Sequence, residues 1–410
     1  MMKSRKLSKI IADDKNYLFQ NYGRLPVCFV RGDASYLFDQ DNRKYVDFFS
    51  GIAVSSVGHR NRPLVRALQL QADSLIHSSN WYYNREQNEA GKFLAELSFP
   101  GKTLFVNSGA EANEAAIKLA RRYGLDHSGG RFKIVSFTNS FHGRTFGSMS
   151  ATAQKKIHDG FGPIVPGFIY LPFNDTKAFS REMKKNRDIC AIMIELIQGE
   201  GGIQVADKGF VREIFRHCSK NDILTIVDEV QTGVGRTGAL FAYQHYNVVP
   251  DIITVAKGLG GGVPVGAIHA KNFLPEYFPR GSHGTTFGGN HLVCAAVAAV
   301  LKEMGKKKFL DGLGQVSRYL FERLNDIKKR APFITDIRGM GLHIGVELSV
   351  PGAGLVLKAL EQGLVINCTA DKVIRIMPPL NIPLKAAREG MDILEALFMK
   401  EGGGGENTTA

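Results

Sequence analysis

The feature that most constrains the fold is an alternation of short apolar runs with helix-like segments between residues 103 and 270. The apolar runs lie at residues 103–106, 133–137, 189–195, 223–229, 252–257 and 266–270. Short runs of this kind, rich in β-branched residues, are typical of strands buried within a parallel sheet. With helical segments between several of them, the pattern predicts an α/β fold built on a mostly parallel, doubly wound sheet.

Two of these runs end in charged side chains. The first ends in Asp228 and Glu229, and the second ends in Lys257, which a glycine-rich turn follows. In open α/β sheets the functional groups lie beyond the carboxyl ends of the strands. A lysine amine there can form a Schiff base with a carbonyl cofactor, and a carboxylate can hold a protonated pyridine nitrogen. Taken singly, such a carboxylate is also a common metal ligand or helix cap, and such a lysine a common solvated loop residue.

A third feature is the small-residue segment 107–110, which opens a predicted helix. Ser108 and Glu111 fit the S-x-x-E pattern of a capping box, which is the ordinary interpretation. The same helix N-terminus can bind a phosphate through the Ser108 hydroxyl and the N–H groups of the two residues that follow it. Pyridoxal phosphate is a molecule that would use this helix N-terminus, the carboxylate and the lysine together.

The rest of the chain indicates two domains, because 410 residues exceed one ordinary core. The predicted parts are residues 1–62, an N-terminal segment with a small antiparallel meander that packs with the small domain; residues 63–300, the large cofactor-binding domain; residues 301–400, a smaller C-terminal α+β domain; and residues 401–410, a flexible tail. We also expect an amphipathic helix within residues 8–22 and a long one from Lys308 to Arg330. The aromatic run Trp81-Tyr82-Tyr83 is expected in the core, and the alternative is a place in the wall of the substrate site.

Composition limits the class of protein. Hydrophobic residues make up 44% of the chain and charged residues 22%, which is typical of a soluble globular protein. No apolar run approaches the roughly 18 residues that span a bilayer, and the N-terminus lacks the apolar region of a signal peptide. Five scattered cysteines without a CxxC pair predict neither disulfides nor a metal cluster, and favour a cytoplasmic location. The net charge of +13 is dispersed, so we expect anionic small substrates rather than nucleic acid or membrane.

Longer motifs connect these features to a known family. They are NSGAEANEAAIKLAR, SFHGRT, IQGEGG, DEVQTGVGRTG, AKGLGGGVPVGA, HGTTFGGN and VIRIMPPL, between about residues 22 and 380. In their order and spacing the chain resembles the class III, fold-type I pyridoxal-phosphate aminotransferases, and is most similar to their acetylornithine and ornithine branch. The resemblance implies a large domain with the predicted sheet, a smaller α+β domain and a homodimer with shared active sites.

The resemblance also implies a role for each matching residue. Lys257 would form the Schiff base and shuttle the α-proton, and Asp228 would pair with the pyridine N–H. The other implied cofactor contacts are Ser108, Gly109 and Ala110 on the phosphate, Phe141 and Val230 on the two ring faces, Gln231 near the ring hydroxyl, and Thr286 on the phosphate from the partner subunit. The implied substrate contacts are Arg144 and Arg375 on carboxylates, Glu200 as the group that neutralises an arginine, and Tyr22, Gly51, Ile52 and Tyr83 along the substrate channel.

The activity implied is transfer of the terminal amino group of N-acetylornithine, or a close relative, to 2-oxoglutarate. It would give glutamate and a semialdehyde in arginine biosynthesis, by a ping-pong route through pyridoxamine phosphate. Alternative amino donors are ornithine, succinylornithine, acetyllysine-type compounds and 4-aminobutyrate. Racemase and decarboxylase chemistry, and a cofactor-binding protein without turnover, are the alternatives outside this activity.

Two positions depart from the family pattern. Leu196 and His291 stand where the family usually has proline. Because proline fixes φ and restricts the preceding residue, both loops are expected to lose local stiffness, which bears on cofactor affinity. His291 itself is expected to be an ordinary surface histidine rather than a pH-sensitive group.

Overall fold

The computed structural model describes residues 5–403, and its elements follow in chain order. The helices are α1 (Arg5–Tyr17), α2 (Ser50–Ala53), α3 (Arg62–Ser74), α4 (Arg85–Leu97), α5 (Gly109–Asp126), α6 (Phe146–Ala151), α7 (Lys155–His158), α8 (Thr176–Lys185), α9 (Lys208–Asn221), α10 (His291–Met304), α11 (Lys307–Arg330), α12 (Ala353–Glu361) and α13 (Leu384–Gly403). The strands are β1 (Phe29–Asp33), β2 (Tyr36–Asp39), β3 (Lys44–Asp47), β4 (Gly101–Val106), β5 (Lys133–Phe137), β6 (Phe168–Leu171), β7 (Ile189–Ile194), β8 (Ile197–Gln198), β9 (Gln204–Val205), β10 (Leu224–Asp228), β11 (Ile252–Val255), β12 (Gly266–Lys271), β13 (Ile334–Met340), β14 (His343–Leu348), β15 (Leu364–Val365), β16 (Asn367–Thr369) and β17 (Val373–Ile376).

A seven-stranded sheet forms the centre of the fold, in the order β4-β12-β11-β10-β7-β5-β6. The pairs from β11 through β6 are parallel, whereas β12 runs antiparallel to both of its neighbours. The predicted α/β class with a mostly parallel sheet is therefore confirmed. All six predicted apolar runs contribute strands, and the sequence analysis missed only the edge strand β6 of this sheet.

The inner strands are apolar along their whole length because both faces are covered. Every residue of β7, β10 and β11 is buried, as expected for parallel strands between two layers of helices. Strands β10 and β11 are neighbours, and Asp228 lies beside Thr254 in their register. This register places the end of β10 next to the turn that carries Lys257.

Helices α5 and α10 each bury at least half of their residues. Helix α5 packs against β7, β11 and β12 through the small side chains Ala112, Ala115 and Ala116, all fully buried. Helix α10 contacts α3 and α4. The close approach that alanine allows brings the N-terminus of α5 to the edge of the sheet where β10 and β11 end.

The N-terminal strands β1, β2 and β3 form the predicted antiparallel meander. Strand β15, from the C-terminal part of the chain, pairs with β3 in parallel and completes a four-stranded sheet. Helix α1 ends at Tyr17, and Leu7 is its buried residue, whereas Tyr17 and Leu18 are exposed. The domain boundaries at residues 62 and 300 stay predictions.

The C-terminal part contains an antiparallel sheet in the order β13-β14-β17-β16, next to α11 and α12, and α13 packs against these two helices. The predicted apolar face of α11 is buried at Leu313, Val316, Leu320, Leu324 and Ile327. Helix α13 continues three residues past Lys400, and residues 404–410 of the predicted tail lie outside the described residues. Within residues 5–403, no helix combines the length and apolarity needed to cross a membrane.

The core prediction for the aromatic run between α3 and α4 was wrong. Trp81, Tyr82 and Tyr83 expose 92%, 70% and 102% of their surface. Phe287, on a separate loop, is 61% exposed as well. Aromatic side chains cannot be assigned to the core of their own chain from composition alone, because they are equally suited to an interface between chains.

Candidate active site

A cavity of about 430 Å³ lies at the carboxyl ends of the central strands. Ten of the residues predicted to act at the site line it: Ser108, Gly109, Ala110, Phe141, Arg144, Glu200, Asp228, Val230, Gln231 and Lys257. They come from five separate segments of the chain that the sheet order brings together. The roles assigned to them stay predictions, but their convergence on one cavity is a finding of the structure.

Asp228 is the last residue of β10 and is almost completely buried. Its Oδ2 accepts hydrogen bonds from Asn113 Nδ2 and His142 Nδ1, both at 2.8 Å, and its Oδ1 accepts from the Val230 N–H at 3.0 Å. Burial alone would lower the pKa of His142, but the bond to Asp228 raises it overall. These donors fix the orientation of a carboxylate that faces the cavity.

Lys257 follows β11 and begins a single 3-10 turn, Lys257–Leu259. Its φ of 45° lies in the left-handed region, which is strained for a residue with a Cβ and is often found at functional sites. Burial lowers the pKa of its amine, although the nearby Glu200 carboxylate opposes that shift. The lower pKa increases the neutral, nucleophilic fraction of the amine.

The N-terminus of α5 is capped by Ser108, whose Oγ accepts from the Glu111 N–H at 3.2 Å. The Glu111 carboxylate accepts from the N–H and Nδ2 of Asn107, at 2.9 and 2.8 Å. In the predicted capping box it would accept from the N–H of Ser108, the next residue. The N–H groups of Gly109 and Ala110 have no acceptor among the described residues. This end of the helix therefore presents free donors to the cavity.

The residue at position 109 must be small. A Cβ there would lie 2.7 Å from Val230 Cγ1 and 3.5 Å from Ala256 Cβ. Glycine thus allows the helix end, the Val230 side chain and the strand that leads to Lys257 to meet around the cavity.

Arg375 lies on β17 of the C-terminal sheet, is buried, and is paired with Glu200 of the cavity lining. Its Nη1 donates to Glu200 Oε1 at 2.6 Å, and its Nε donates to Asn367 Oδ1 at 2.7 Å. Burial would raise the pKa of Glu200, but Arg375 lowers it overall, so this carboxylate is ionised and paired. Arg144 is exposed, with its guanidinium carbon 5.5 Å from the centre of the Phe141 ring. One predicted carboxylate-binding arginine is therefore held by an internal anion, and the other faces solvent.

Three functional candidates were missed in the sequence. Asn113 and His142 bind Asp228, and Glu195 lines the same cavity. Glu195 accepts from the Phe141 N–H at 2.8 Å and the Gly199 N–H at 3.3 Å, and burial raises its pKa to about 7. A carboxylate directly after a buried strand was the signal used for Asp228, and the same signal applies to Glu195 after β7.

Six of the predicted site residues are not among those that line the cavity of this chain: Tyr22, Gly51, Ile52, Tyr83, Thr286 and Arg375. Tyr22 and Tyr83 are strongly exposed, and Ile52 is 36% exposed. Thr286 lies in the loop between β12 and α10, beside residues 77–80 rather than beside Lys257. Their roles stay predictions, and the predicted role of Thr286 is at the cavity of a partner subunit.

Residues 50–53 form a left-handed turn that leads to Val54 in the cavity wall. Their φ angles are 51°, 60°, 67° and 62°, although only residue 51 is glycine. Asp47 holds the turn by accepting from the N–H groups of Phe49 and Ser50 at 2.9 and 2.7 Å. Such strain persists where surrounding contacts fix the backbone, which is common at functional sites.

Leu196 and His291, which stand where the resemblance predicts proline, are both buried. Leu196 is fully enclosed in the core. His291 is 8% exposed, with Nδ1 2.8 Å from Glu86 Oε2 and Nε2 2.9 Å from Ser78 Oγ. The expectation of a surface histidine was wrong, because the position begins a buried helix and the side chain is enclosed by hydrogen-bonding partners from α4 and the preceding loop.

Comparison with known proteins identifies the class. Residues 17–398 match the family described as "Aminotransferase class-III", so the chain belongs to this family of pyridoxal-phosphate-dependent enzymes and is an aminotransferase. Among curated relatives, it is 48% identical over 388 residues to the acetylornithine aminotransferase of Caldanaerobacter subterraneus subsp. tengcongensis, covering 94% of this chain and 98% of the relative.

Solved structures give the same class. The ornithine aminotransferase from Toxoplasma gondii ME49 superposes with a TM-score of 0.93 and 31% identity, covering 98% of this chain and 96% of that one. The acetylornithine aminotransferase from Elizabethkingia anophelis superposes with a TM-score of 0.86 and 32% identity, covering 96% and 99%. The recognition of the family from its motifs is confirmed.

Proposed function

We propose that this aminotransferase uses pyridoxal phosphate to move the terminal amino group of N-acetylornithine, or a close relative, to 2-oxoglutarate in arginine biosynthesis. The observation that carries the proposal is the meeting of Lys257, Asp228 and Glu200 at one cavity, with Arg375 bound directly to Glu200. The name of the relative that is 48% identical supports the choice of amino donor.

The residues present fit the cofactor in charge and in space. The free N–H groups at the start of α5 suit a phosphate, and the buried carboxylate suits a pyridine nitrogen. Glycine at position 109 lets the Val230 side chain pack directly against the helix end at the cavity. The residues that would hold the cofactor are Ser108, Gly109 and Ala110 at the phosphate, Asp228 at the ring nitrogen, Phe141 and Val230 at the ring faces, and Gln231 near the ring hydroxyl.

When bound, pyridoxal phosphate supplies an electron sink for negative charge on the carbon that carries the amino group. The Nζ of Lys257, with its lowered pKa, is the base suited to accept the proton from that carbon and to return a proton during transfer. Asn113 and His142 position the Asp228 carboxylate. Glu195 holds the Phe141 backbone in place through its 2.8 Å hydrogen bond.

The Arg375–Glu200 pair explains how one site accepts two kinds of substrate. A substrate with a carboxylate near its reacting carbon can replace Glu200 on Arg375, because arginine binds carboxylates through two parallel hydrogen bonds. A donor that reacts at a terminal amino group has no carboxylate there, so Glu200 stays paired and the site stays neutral. Arg144, which is exposed at the cavity wall, would bind a second, distal carboxylate.

Two further features of the proposal concern the whole protein. A homodimer is supported by the exposure of Trp81, Tyr83 and Phe287, and by the position of Thr286 away from the cavity of its own chain. A cytoplasmic location is supported by the five cysteines, all of which are free.

The direct test compares amino donors with 2-oxoglutarate as the acceptor and measures glutamate by mass spectrometry. We expect the highest kcat/KM with N-acetylornithine, lower values with ornithine and 4-aminobutyrate, and no glutamate from Lys257→Ala. Highest activity with ornithine would move the assignment to that donor. Formation of no glutamate from any of these donors would refute the proposed function.

A further inference from the structure

A buried chain of hydrogen bonds joins three elements at the start of helix α10. We call Glu86, His291 and Ser78 the His291 link. The Glu86 carboxylate can only accept, so His291 Nδ1 donates to it at 2.8 Å, while Nε2 lies 2.9 Å from the Ser78 hydroxyl. Arg85 donates to the other Glu86 oxygen at 3.0 and 2.7 Å. The link therefore connects the first turn of α4, the loop before it and the first residue of α10.

The backbone at this point does not require histidine. His291 is the first residue of α10, a position that suits proline because its N–H has no intrahelical acceptor. Asn290 has an extended conformation, with ψ of 166°, and caps the helix by accepting from the Val293 N–H at 3.0 Å. What this chain gains from histidine is thus a side-chain connection that proline cannot make.

The loop just before α10, residues 285–290, is fixed by the same segment of the chain. Asn80 Nδ2 donates to the carbonyls of Thr285 and Gly288, at 3.2 and 2.9 Å. Asn84 Nδ2 donates to the Gly289 carbonyl at 3.0 Å. The loop also lies directly on β4, since a Cβ at Gly288 would be 2.7 Å from the Phe105 carbonyl oxygen. The loop is consequently in direct contact with the end of β4.

The loop continues to the candidate phosphate site. Thr285 Oγ1 accepts from Asn107 Nδ2 at 2.8 Å, and Asn107 also bonds to Glu111 in the first turn of α5. Asn107 lines the cavity and immediately precedes Ser108, the cap of α5. A continuous set of contacts therefore runs from His291 through the loop to the helix N-terminus.

We propose that His291 is a positioning residue: the His291 link holds loop 285–290 against β4 and the N-terminus of α5, and so sets how tightly the cofactor phosphate is retained. The inference rests on the proposed function, because it assigns the phosphate to this helix end. Histidine at this position provides a buried connection to Glu86 that a proline could not make.

The test measures two quantities that activity does not report. One is the rate of pyridoxal phosphate release from the loaded protein after dilution, followed by absorbance. The other is hydrogen exchange of the backbone in residues 285–290 of the cofactor-free protein. Because a buried hydrogen bond to a charged group is lost, His291→Ala should speed release by about tenfold and increase exchange in the loop. His291→Asn, which keeps a donor near the position of Nδ1, should restore most of the retention.

The partner and control variants separate the link from a general loss of stability. Glu86→Ala should speed release as much as His291→Ala does, and the double variant should add little, since both remove one interaction. His217→Ala changes a half-buried histidine that packs edge-on against Phe179, away from the cavity, and should leave release unchanged.

Three outcomes are decisive. Unchanged release and loop exchange in His291→Ala, with normal cofactor binding by the unmodified protein, would overturn the link and leave the proposed function standing. Additive effects of His291→Ala and Glu86→Ala would also overturn it. If the unmodified protein fails to bind pyridoxal phosphate at all, the proposed function fails first, and the role of the link in retention fails with it.

Discussion

Two adjacent carboxylates at the end of β10 show how strongly local contacts divide the roles of like residues. Asp228 faces the cavity with three donors, whereas Glu229 points into the core. Glu229 accepts from the Thr232 hydroxyl at 2.5 Å and the Tyr243 N–H at 3.0 Å, and burial raises its pKa to about 7. Glu229 therefore holds the loop after β10, and Asp228 is the carboxylate that we propose to act on the cofactor.

The raised pKa predicts how stability depends on pH. Between about pH 4.5 and pH 7 the folded protein keeps the Glu229 proton while the unfolded chain has lost it, so the free energy of unfolding decreases as pH rises. Glu229→Gln should reduce that decrease by about 3 kcal/mol, measured by urea unfolding from about pH 5 to pH 8. The pKa of Glu195 is also raised to about 7, so in Glu229→Gln the free energy of unfolding should still decrease somewhat as pH rises. Glu213→Gln is the control, and an equal effect of that variant would contradict the prediction.

The Arg375–Glu200 pair makes a second prediction at the same scale. Glu200→Gln removes the anion that competes with substrate carboxylates for Arg375. We expect the KM for 2-oxoglutarate to fall several-fold and the preference for N-acetylornithine over glutamate as donor to fall about tenfold. Steady-state kinetics with both donors measures this, and an unchanged preference would show that Glu200 does not select the donor.

Residue types and their strand-end positions were sufficient to predict Lys257 and Asp228 as candidates, since each directly follows an apolar run. The partners of Asp228 could not be found in this way. Asn113 lies inside a helix and His142 lies in a loop, and nothing in their spacing indicates that they meet the end of β10. Such contacts depend on the order of strands in the sheet, which a pattern of apolar runs does not contain.

At the scale of elements, helix α5 combines a structural cap with a candidate anion site. Ser108→Asp separates the two roles, because aspartate is also a good N-cap but its charge repels a phosphate. We expect the free energy of unfolding of the cofactor-free protein to stay within about 0.5 kcal/mol of the unmodified value. Pyridoxal phosphate binding, measured by titration calorimetry, should weaken at least about tenfold. Ser108→Ala, which loses the cap, should be destabilised in the cofactor-free state by about 1 kcal/mol.

If Ser108→Asp binds pyridoxal phosphate as tightly as the unmodified protein does, the assignment of the cofactor phosphate to the N-terminus of α5 is wrong.

The elements themselves were largely predictable, but their pairing was not. Alternation and length predicted the strands of the central sheet, yet gave no sign that β12 runs antiparallel between β4 and β11. The insertion of β15 beside β3 joins residues more than 300 positions apart. Direction and long-range pairing are set by packing across the whole fold, whereas periodicity reports only which face of an element is buried.

At the scale of the whole molecule, the exposed aromatic residues offer a measure of assembly. The chain contains a single tryptophan, Trp81, which is 92% exposed in the isolated chain. If a second copy covers this region, Trp81 fluorescence should be blue-shifted at micromolar concentration and should shift to the red on dilution, as the dimer dissociates. Sedimentation at the same concentrations provides the control. If sedimentation shows a dimer but Trp81 emits like a fully exposed indole, the dimer interface lies elsewhere on the molecule.

The central claim is that the cavity transfers an amino group between N-acetylornithine and 2-oxoglutarate through Lys257 and the bound cofactor. The most direct measurement is the visible absorption of the protein loaded with pyridoxal phosphate, recorded after N-acetylornithine alone and again after 2-oxoglutarate. We predict a visible absorption band of the loaded protein that N-acetylornithine bleaches and 2-oxoglutarate restores. Lys257→Ala should not form this band. A band present in the unmodified protein that neither compound changes would contradict the account.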